Sequence, residues 1–412
     1  MNNTSTFSKP HVVIVGAGHA GGRAAEALRG TGYKGRVTLI GSEAYPPYER
    51  PPLSKELLAG AISHEKTFLR PADYYAEAEI ELKLGSTVAA IDRAAQRLEL
   101  EAGGSVPYDT LLLTTGARAR PLALPGGKGP RVFYLRDIDD ALALRERLQE
   151  GVTLAVIGAG FIGLEVAATA RKRGAEVVVL ELAPQPLARV AAPELGEFVG
   201  ALHRLKGVDL RTGVKVTAIE DMGDGLRLAI EGADPVYADY AAIGIGAQPN
   251  TELAEKAGVE TRDGIVVDAF GRSSDPAIYA AGDVTRHLNP LLGRHIRLEA
   301  WQNAQNQAIA VAKVIGGGSD AFAEVPWFWT DQYEMNLQMA GAPDRWDQLV
   351  WRGEPTDPGF TVFHLLDGKV VAAVTVNNAR DMRFARMLIQ RGTKVDPAVL
   401  ADKSSKLQDL LR

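Results

Sequence analysis

The feature that most constrains the fold of this chain is a glycine pattern, G-x-G-x-x-G, that occurs twice. The glycines are Gly16, Gly18 and Gly21 in the first copy and Gly158, Gly160 and Gly163 in the second. In such a loop the first glycine allows a tight turn, the second lets the backbone approach a pyrophosphate, and the third lets a helix pack closely on the preceding strand. The helix N-terminus then offers free N–H groups to an anion. Two copies, separated by about one domain length, predict two dinucleotide-binding domains.

Each glycine loop lies between a predicted strand and a predicted helix, and a second strand follows. The predicted elements are residues 11–15, 22–28 and 36–40 in the first copy and residues 152–157, 164–173 and 176–180 in the second. Glu181 follows the last of these strands. A carboxylate there accepts hydrogen bonds from a ribose 2′-OH and repels a 2′-phosphate. Because Arg189 lies too far along the chain to be assumed a phosphate contact, we expect the second site to prefer NADH to NADPH.

Composition and charge exclude several function classes. A net charge of −5 leaves no basic footprint for nucleic acid, and no apolar run approaches the ~18 residues of a membrane span. The polar stretch 1–10 predicts a short disordered arm, with no room for a signal or transit peptide. We therefore expect a cytoplasmic protein that binds neither nucleic acid nor a membrane. The histidines show no paired spacing, so we expect no metal site.

The absence of cysteine from the sequence is equally informative. Among enzymes with two dinucleotide sites, the disulfide reductases need a redox-active cysteine pair beside the flavin. Some peroxidases and oxidases of this type use a single cysteine. Neither chemistry is available to this chain, and it cannot hold an iron–sulfur cluster through thiolates of its own.

The rest of the pattern predicts interleaved domains. One strand ends at Thr115-Gly116 before a proline-marked crossover, and another is predicted over 277–281. From Pro326, aromatic-rich alternation predicts an antiparallel sheet with a hairpin turn at Asp367-Gly368, and a helix over 379–391 follows. We therefore predict an α/β fold with two Rossmann-like dinucleotide-binding domains plus a C-terminal α+β domain. The predicted boundaries are 1–118 and 249–325 for the first domain, 119–248 for the second and 326–412 for the third.

Five segments carry a resemblance to a known family, and the resemblance extends over essentially the whole chain. They are "PPYERPPLSKELLAG" (46–60), "TTGARARPL" (114–122), "IGAGFIGLEVAATA" (157–170), "SSDPAIYAAGDV" (273–284) and "PWFWTDQYE" (326–334). The chain resembles the FAD-dependent NADH:ferredoxin reductases that serve bacterial cytochromes P450 and Rieske oxygenases. The first and last segments discriminate this family far better than the glycine patterns do.

The resemblance implies the glutathione-reductase fold, with FAD on the first loop, NADH on the second and a C-terminal domain that closes over the flavin. It implies that hydride passes from NADH to the flavin, and that single electrons then pass to an external [2Fe–2S] ferredoxin. Such ferredoxins are small acidic proteins that bind transiently. We expect the reductase itself to be a monomer or a weak dimer.

The family's FAD contacts carry over onto matching positions of this chain. They are Gly16, Gly18, Ala20, Gly21, Ser42, Glu43, Arg50, Lys55, Val88, Thr115, Gly116, Arg136, Asp283 and Trp301. Asp283 is expected to bind the ribityl chain, Val88 the adenine side through its backbone, and Trp301 the pyrimidine end of the flavin. The family often has an acid directly after the glycine of "GSE", where this chain has Ser42 and then Glu43. Which of the two holds the FAD ribose stays open.

The same resemblance assigns the NADH side and the reacting centre. The expected NAD contacts are Gly158, Gly160, Phe161, Ile162, Gly163, Glu165, Glu181 and Gly246. Lys55, predicted at the start of a short helix capped by Ser54, is expected to form a catalytic ion pair with Glu165 beside flavin N5. This pair would hold the nicotinamide and favour the anionic reduced flavin.

Electrons are expected to leave past Trp329, although Trp327 and Trp329 are equally compatible with a plain aromatic core. A reductase of negative net charge needs a local basic patch to steer an acidic ferredoxin. Candidates for this patch are Arg294, Arg297, Arg345, Arg352, Arg383 and Arg386. Two other function classes stay open: a Cys-free NADH oxidase or other reductase of a small acceptor or of rubredoxin, and a non-catalytic flavoprotein comparable to apoptosis-inducing factors.

Overall fold

The structure of the protein, a computed structural model, describes residues 10–411. Its strands are β1 (His11–Val15), β2 (Arg36–Ile40), β3 (Ile80–Lys83), β4 (Val88–Asp92), β5 (Arg97–Leu100), β6 (Ser105–Pro107), β7 (Thr110–Leu113), β8 (Ala117–Ala119), β9 (Val132–Tyr134), β10 (Thr153–Ile157), β11 (Glu176–Glu181), β12 (Asp209–Thr212), β13 (Val216–Asp221), β14 (Leu226–Ile230), β15 (Ala233–Ala238), β16 (Tyr240–Ile243), β17 (Ala247–Pro249), β18 (Ile265–Val267), β19 (Ile278–Ala280), β20 (Thr285–Asn289), β21 (Arg294–Ile296), β22 (Trp327–Gln332), β23 (Met335–Gly341), β24 (Gln348–Arg352), β25 (Phe360–Leu366) and β26 (Lys369–Val376). Its α-helices are α1 (His19–Gly30), α2 (Glu56–Ala59), α3 (Ala72–Glu77), α4 (Ile138–Arg147), α5 (Phe161–Lys172), α6 (Pro193–Leu205), α7 (Glu252–Lys256), α8 (Trp301–Ile315), α9 (Ala379–Arg391) and α10 (Pro397–Ala401). The predicted disordered arm lies outside the described residues, apart from Pro10.

The first layer is a parallel sheet in the order β19-β7-β1-β2-β3. Strand β1 is buried along its whole length and pairs with β2 on one side and β7 on the other, as an apolar run in a parallel sheet should. Helices α1 and α8 cover one face, where Leu28 and Val311 share a core with Ile14. The antiparallel strands β4, β5 and β6 contribute to the core of the other face.

A second parallel sheet, in the order β12-β11-β10-β16-β9, is inserted into the first. All of its strands lie between β8 and β17 in the chain, whereas β18 and β19 come later. Strands β8 and β17 pair with each other, so the two crossovers run side by side as an antiparallel ribbon. The interleaved order predicted from the sequence is therefore present. The predicted boundaries near 118 and 248 fall within this ribbon and stay predictions.

Both helices that follow the glycine loops begin earlier than predicted. α1 begins at His19 and α5 at Phe161, three residues before the predicted starts at 22 and 164. The predictions were wrong because the second glycine of each loop is itself the N-cap, with extended backbone that leads directly into the helix. Nowhere in 10–411 is a helix both long enough and apolar enough to cross a bilayer.

The C-terminal sheet is antiparallel, in the order β22-β23-β26-β25-β24. The predicted hairpin turn is confirmed, since Asp367 and Gly368 have positive φ values of 52° and 76°, as a two-residue type I′ turn requires. Helix α9 has its predicted bounds and covers one face, where it shares a core with Phe363. The other face, which includes Phe360, packs against the inserted domain. This packing brings β22 to the N-terminal half of α5.

Candidate functional site

One cavity of about 1600 Å³ is lined by the carboxyl ends of strands from both parallel sheets. Both glycine loops line it, together with Phe328 and Trp329 from β22. Every site residue predicted from the sequence lies along this cavity except Gly21 and Gly163. A Cβ on these two would lie 2.0 Å and 2.1 Å from the carbonyl oxygen of the first glycine in the same loop. They therefore serve close helix packing, which is the role of the third glycine in such loops.

The two glycine loops leave anion-binding groups free at the cavity. Gly18 and Gly160 are the N-cap residues of α1 and α5, and no side chain caps either helix. The first N–H groups of both helices therefore need an external acceptor. A Cβ at Gly18 or Gly160 would meet no atom closer than 3.7 Å, so the backbone there is open to a ligand. These features fit the pyrophosphates of two dinucleotides.

Two ion pairs border the part of the cavity that the first loop lines. Arg50 Nη2 lies 2.9 Å from Glu43 Oε1, and Arg136 Nη2 lies 3.0 Å from Asp283 Oδ2. The Tyr48 hydroxyl also donates to Glu43 at 2.5 Å, so this carboxylate already has two partners within the protein. Ser42, by contrast, is exposed at the cavity. No cluster of three or more His, Cys, Asp or Glu that could hold a metal occurs among residues 10–411.

His19 is a cavity residue that sequence reasoning missed. Its ring centroid lies 5.2 Å from that of Trp301. Both of its ring nitrogens, like Nε1 of Trp301, are buried with no hydrogen-bond partner in the described part of the chain. Burial lowers the pKa of His19 to about 3, and Arg23 and Arg50 add to the effect, so the ring is neutral. Unpaired buried polar atoms at a cavity fit a bound polar ligand. Its position inside the first glycine pattern is the one signal that the sequence offers.

The ion pair predicted between Lys55 and Glu165 is present, with Nζ and Oε1 3.0 Å apart and the side chains only 14% and 4% exposed. The Ser54 hydroxyl donates to Oε2 of the same carboxylate, and the Thr330 hydroxyl donates to Oε1 at 2.6 Å. The prediction that Ser54 caps a helix is wrong. Ser54 ends a 3₁₀ turn, Pro51–Ser54, and the N-cap of α2 is Lys55, without a side-chain cap. Its hydroxyl donates to the Glu165 carboxylate instead of to the backbone of α2.

The second loop meets a carboxylate and a guanidinium. Glu181 accepts hydrogen bonds from the backbone N–H groups of Ala159, at 2.5 Å, and Ala183, at 2.8 Å, so its position beside the loop is fixed. Arg189 also lines the cavity, and its guanidinium lies 3.2 Å from where a Cβ on Gly246 would be. Arg189, whose sequence position gives no reason to assume a phosphate contact, therefore lies near Gly246, a predicted NAD contact. The turn around Leu187, which has a φ of 56°, brings the chain back to the cavity.

A row of aromatic rings runs outward from the cavity. The Trp301 and Trp329 centroids are 5.6 Å apart, and Trp329 stacks on Trp327 at 5.2 Å. The Arg386 guanidinium lies over the Trp327 ring at 5.4 Å. Trp327 and Arg386 also line a second cavity of about 520 Å³ beside α9, as does Arg383. The row connects the large cavity with the second cavity, where Arg383 and Arg386 lie.

The structure corrects the predicted basic patch. Arg352 is buried, pairs with Asp381 and donates to backbone carbonyls near the C-terminus, so it cannot contact a partner. Arg297 pairs with Asp263 and Glu299. Arg294 pairs with Asp344. Within residues 10–411, the predicted members that form no salt bridge are Arg345, Arg383 and Arg386.

The chain is similar to known proteins in both sequence and structure. The sequence profile described as pyridine nucleotide-disulphide oxidoreductase matches residues 10–308, and that described as reductase C-terminal matches residues 327–411. The chain is 44% identical to the ferredoxin–NAD(+) reductase component of the anthranilate 1,2-dioxygenase system of Burkholderia cepacia, over 97% of this chain and 98% of that protein. It is 39% identical to putidaredoxin reductase of Pseudomonas putida, over 97% and 96%. Its structure matches the reductase in a covalent putidaredoxin reductase–putidaredoxin complex with a TM-score of 0.94 and 39% identity, over 98% of both chains.

Proposed function

Because the chain belongs to the pyridine nucleotide-disulphide oxidoreductase family, we propose that it transfers hydride from NADH to FAD and then passes single electrons to a [2Fe–2S] ferredoxin. That ferredoxin would supply a cytochrome P450 or a Rieske oxygenase; one relative is a component of an anthranilate 1,2-dioxygenase system. The observation that carries this proposal is one cavity lined by both glycine loops in a chain without cysteine. Two dinucleotides can meet there, and the chain has no thiol to accept the electrons.

On the first loop, FAD when bound would accept a hydride and release electrons one at a time. The N-terminus of α1 would hold its pyrophosphate, and the ion pairs Arg50–Glu43 and Arg136–Asp283 would line its binding site. We propose that Ser42 contacts the ribose, since its side chain is exposed at the cavity while Glu43 is occupied by Arg50 and Tyr48. His19 and Trp301 offer ring N–H groups without partners in the described residues.

At the reacting centre, Lys55 supplies a positive charge and Glu165 holds it in place. A fixed cation favours negative charge that develops nearby during hydride transfer. Phe161 and Phe328 pack edge to face at 4.7 Å and line the same cavity as this pair, where they would reduce the access of water. On the second loop, Glu181 would accept the ribose 2′-OH of NADH, because its carboxylate is held against the loop by two backbone N–H groups.

Electron exit is proposed along Trp329 and Trp327, which lead from the large cavity to the second one. Arg383 and Arg386 on α9, and Arg345, would then face an acidic ferredoxin. We also propose the boundaries 1–118 and 249–325 for the FAD domain, 119–248 for the NAD domain and 326–412 for the C-terminal domain. The ribbon of β8 and β17 supports them. Dependence on NADH supports a cytoplasmic location, which fractionation of cells that express the protein would test.

One assay separates the proposed function from its alternatives. The FAD-loaded protein is given NADH together with a [2Fe–2S] ferredoxin, molecular oxygen or ascorbyl radical, and the turnover with each acceptor is measured. We expect the ferredoxin to be reduced fastest by a wide margin. Faster turnover with oxygen or ascorbyl radical would instead favour a small-acceptor enzyme. A flavin that NADH leaves oxidised would favour a non-catalytic flavoprotein.

A further inference from the structure

Strand β22 presents different chemistry on its two faces. Successive side chains of a strand point to opposite sides, so Trp327 and Trp329 lie on one face while Thr330 and Gln332 lie on the other. The tryptophans belong to the aromatic row described above. Thr330 and Gln332 are completely buried, and polar side chains in such places are expected to have specific partners.

Those partners form a continuous chain of hydrogen bonds that ends on the reacting centre. The Gln332 side-chain oxygen is 2.8 Å from His203 Nε2, and Gln332 Nε2 donates to the Thr330 hydroxyl at 3.1 Å. The Thr330 hydroxyl in turn donates to Glu165 Oε1 at 2.6 Å. Because the amide nitrogen of Gln332 is the donor toward Thr330, its oxygen accepts, and His203 Nε2 therefore carries a proton. Burial lowers the pKa of His203, so its ring is neutral and every bond in the chain points toward the carboxylate.

We propose that Thr330 and Gln332 are positioning residues for hydride transfer, which fix the Glu165 carboxylate in the orientation that pairs with Lys55. This inference rests on the proposed function. Ser54 holds one carboxylate oxygen from the segment before α2, and Thr330 holds the other from the C-terminal sheet. Without Thr330, Oε1 would keep only the Lys55 ammonium group as a partner.

The chain of hydrogen bonds orients Glu165 and does not conduct protons. An amide group, Gln332, stands in its middle, and an amide does not readily take up a proton on oxygen and release one from nitrogen. His203 at the far end is fully buried, and its Nδ1 has no partner among residues 10–411. Proton supply from solvent through His203 has no visible route. A fixed orientation of the carboxylate is what such a network contributes to a reaction.

The test uses a matched pair of threonines in one sheet. Thr330→Val removes the hydroxyl that holds Glu165 and keeps the side-chain shape. Thr375→Val is the control, because Thr375 on β26 is equally buried and its hydroxyl has no partner in the described structure. In stopped-flow reduction of the FAD-loaded enzyme, we expect Thr330→Val to lower the limiting rate of hydride transfer by about 10-fold or more. We expect Thr375→Val to change this rate by less than about 2-fold. Thr330→Ser, which keeps the hydroxyl, should retain most of the wild-type rate.

Further measurements separate positioning from a purely structural role. If Thr330 positions Glu165, Thr330→Val should change the Kd for NADH much less than the limiting rate. The Kd is taken from the concentration dependence of the same traces. It also predicts that a crystal structure of the Thr330→Val protein shows the Glu165 carboxylate rotated away from Lys55. Gln332→Leu should slow hydride transfer less than Thr330→Val, because Thr330 can still donate to Glu165. Thermal unfolding of all variants measures any general loss of stability.

Two results would overturn the inference. One is a Thr330→Val enzyme that reduces its flavin as fast as the wild type. The other is equal slowing by Thr330→Val and Thr375→Val, which would mean that any loss of a buried hydroxyl from this sheet has the same effect. Failure of the proposed function is distinguishable from both, because it would appear in the wild-type enzyme. Either NADH would not reduce its flavin, or the reduced flavin would pass electrons to oxygen or ascorbyl radical faster than to the ferredoxin.

Discussion

Replacement of Lys55 by methionine removes one charge of a buried pair and leaves the other. The Lys55 Nζ and Glu165 Oε1 atoms are 3.0 Å apart, which corresponds to an attraction of about 5 kcal/mol at an effective dielectric constant of about 20. Breaking a buried pair from one side typically costs about 3–5 kcal/mol. The Ser54 and Thr330 hydroxyls still donate to the stranded carboxylate. We therefore expect Lys55→Met to lower the free energy of unfolding by about 3 kcal/mol, the lower end of that range.

A double-mutant cycle isolates the pair. Glu165→Gln alone leaves the buried lysine without its counter-charge, whereas Lys55→Met together with Glu165→Gln removes both charges. We expect the double variant to be more stable than the sum of the single losses predicts, by about 2 kcal/mol. Urea unfolding of the FAD-loaded protein, followed by flavin fluorescence and by far-ultraviolet circular dichroism, measures these free energies where the two traces coincide.

Hydride transfer gives the second readout of the same variants. Lys55→Met should slow bleaching of the oxidised flavin by NADH, because the fixed positive charge beside the developing negative charge is lost. The double variant should recover stability but not rate. Additive losses of stability in the cycle, or a Lys55→Met enzyme that is reduced as fast as the wild type, would refute the reasoning.

The remaining predictions concern cofactor choice, electron exit and pH. Glu181 should make kcat/KM higher for NADH than for NADPH. A preference for NADPH would mean that the attraction of the Arg189 guanidinium for a 2′-phosphate outweighs the repulsion by Glu181. Ferredoxin turnover should fall as ionic strength rises, while turnover with a small neutral acceptor should respond much less, because exposed charges are screened within ~8 Å at physiological salt. Trp329→Ala should slow ferredoxin reduction and leave hydride transfer to the flavin nearly intact, so unchanged ferredoxin turnover would place the exit elsewhere. Burial and the nearby Asp137 carboxylate raise the pKa of Asp140 from 3.8 to about 6. Asp140 therefore stabilises the fold less as the pH rises between these two values. Asp140→Asn should flatten the dependence of the unfolding temperature on pH in that range.

Local patterns predicted the elements that local physics determines. The bounds of β1, β2 and α9 and the Asp367-Gly368 turn follow from apolar runs, helix periodicity and a two-residue turn that needs positive φ. The starts of α1 and α5 were misplaced, because a glycine in extended conformation serves as N-cap there without a side chain that could signal it. The positions of Lys55 and Glu165 came from resemblance and not from periodicity.

Contacts between distant segments could not be predicted in this way. Ser54 looks like a helix cap from its neighbours, yet its hydroxyl donates to a carboxylate 111 positions away. Arg189 reaches the cavity only because the chain turns back at Leu187. A serine is mostly exposed, so residue type alone gives no reason to expect the buried contact of Ser54.

The segment "WFWTDQ" shows most clearly which contacts the sequence pattern does not predict. Its three rings are consecutive and its last three residues are polar, so the second half of the strand suggests a solvated segment. In the structure Thr330 and Gln332 are fully buried instead, because their face of the strand lies against α5 and α6 and meets Glu165 and His203 there. A shift of one residue in the pairing of β22 with β23 would exchange the two faces. A shift in one direction would put Trp329 in the place of Thr330 beside Glu165, and a shift in the other direction would put Asp331 there. The register that pairs Trp329 with Gln338 is therefore as much a part of the reacting centre as the side chains that it orients.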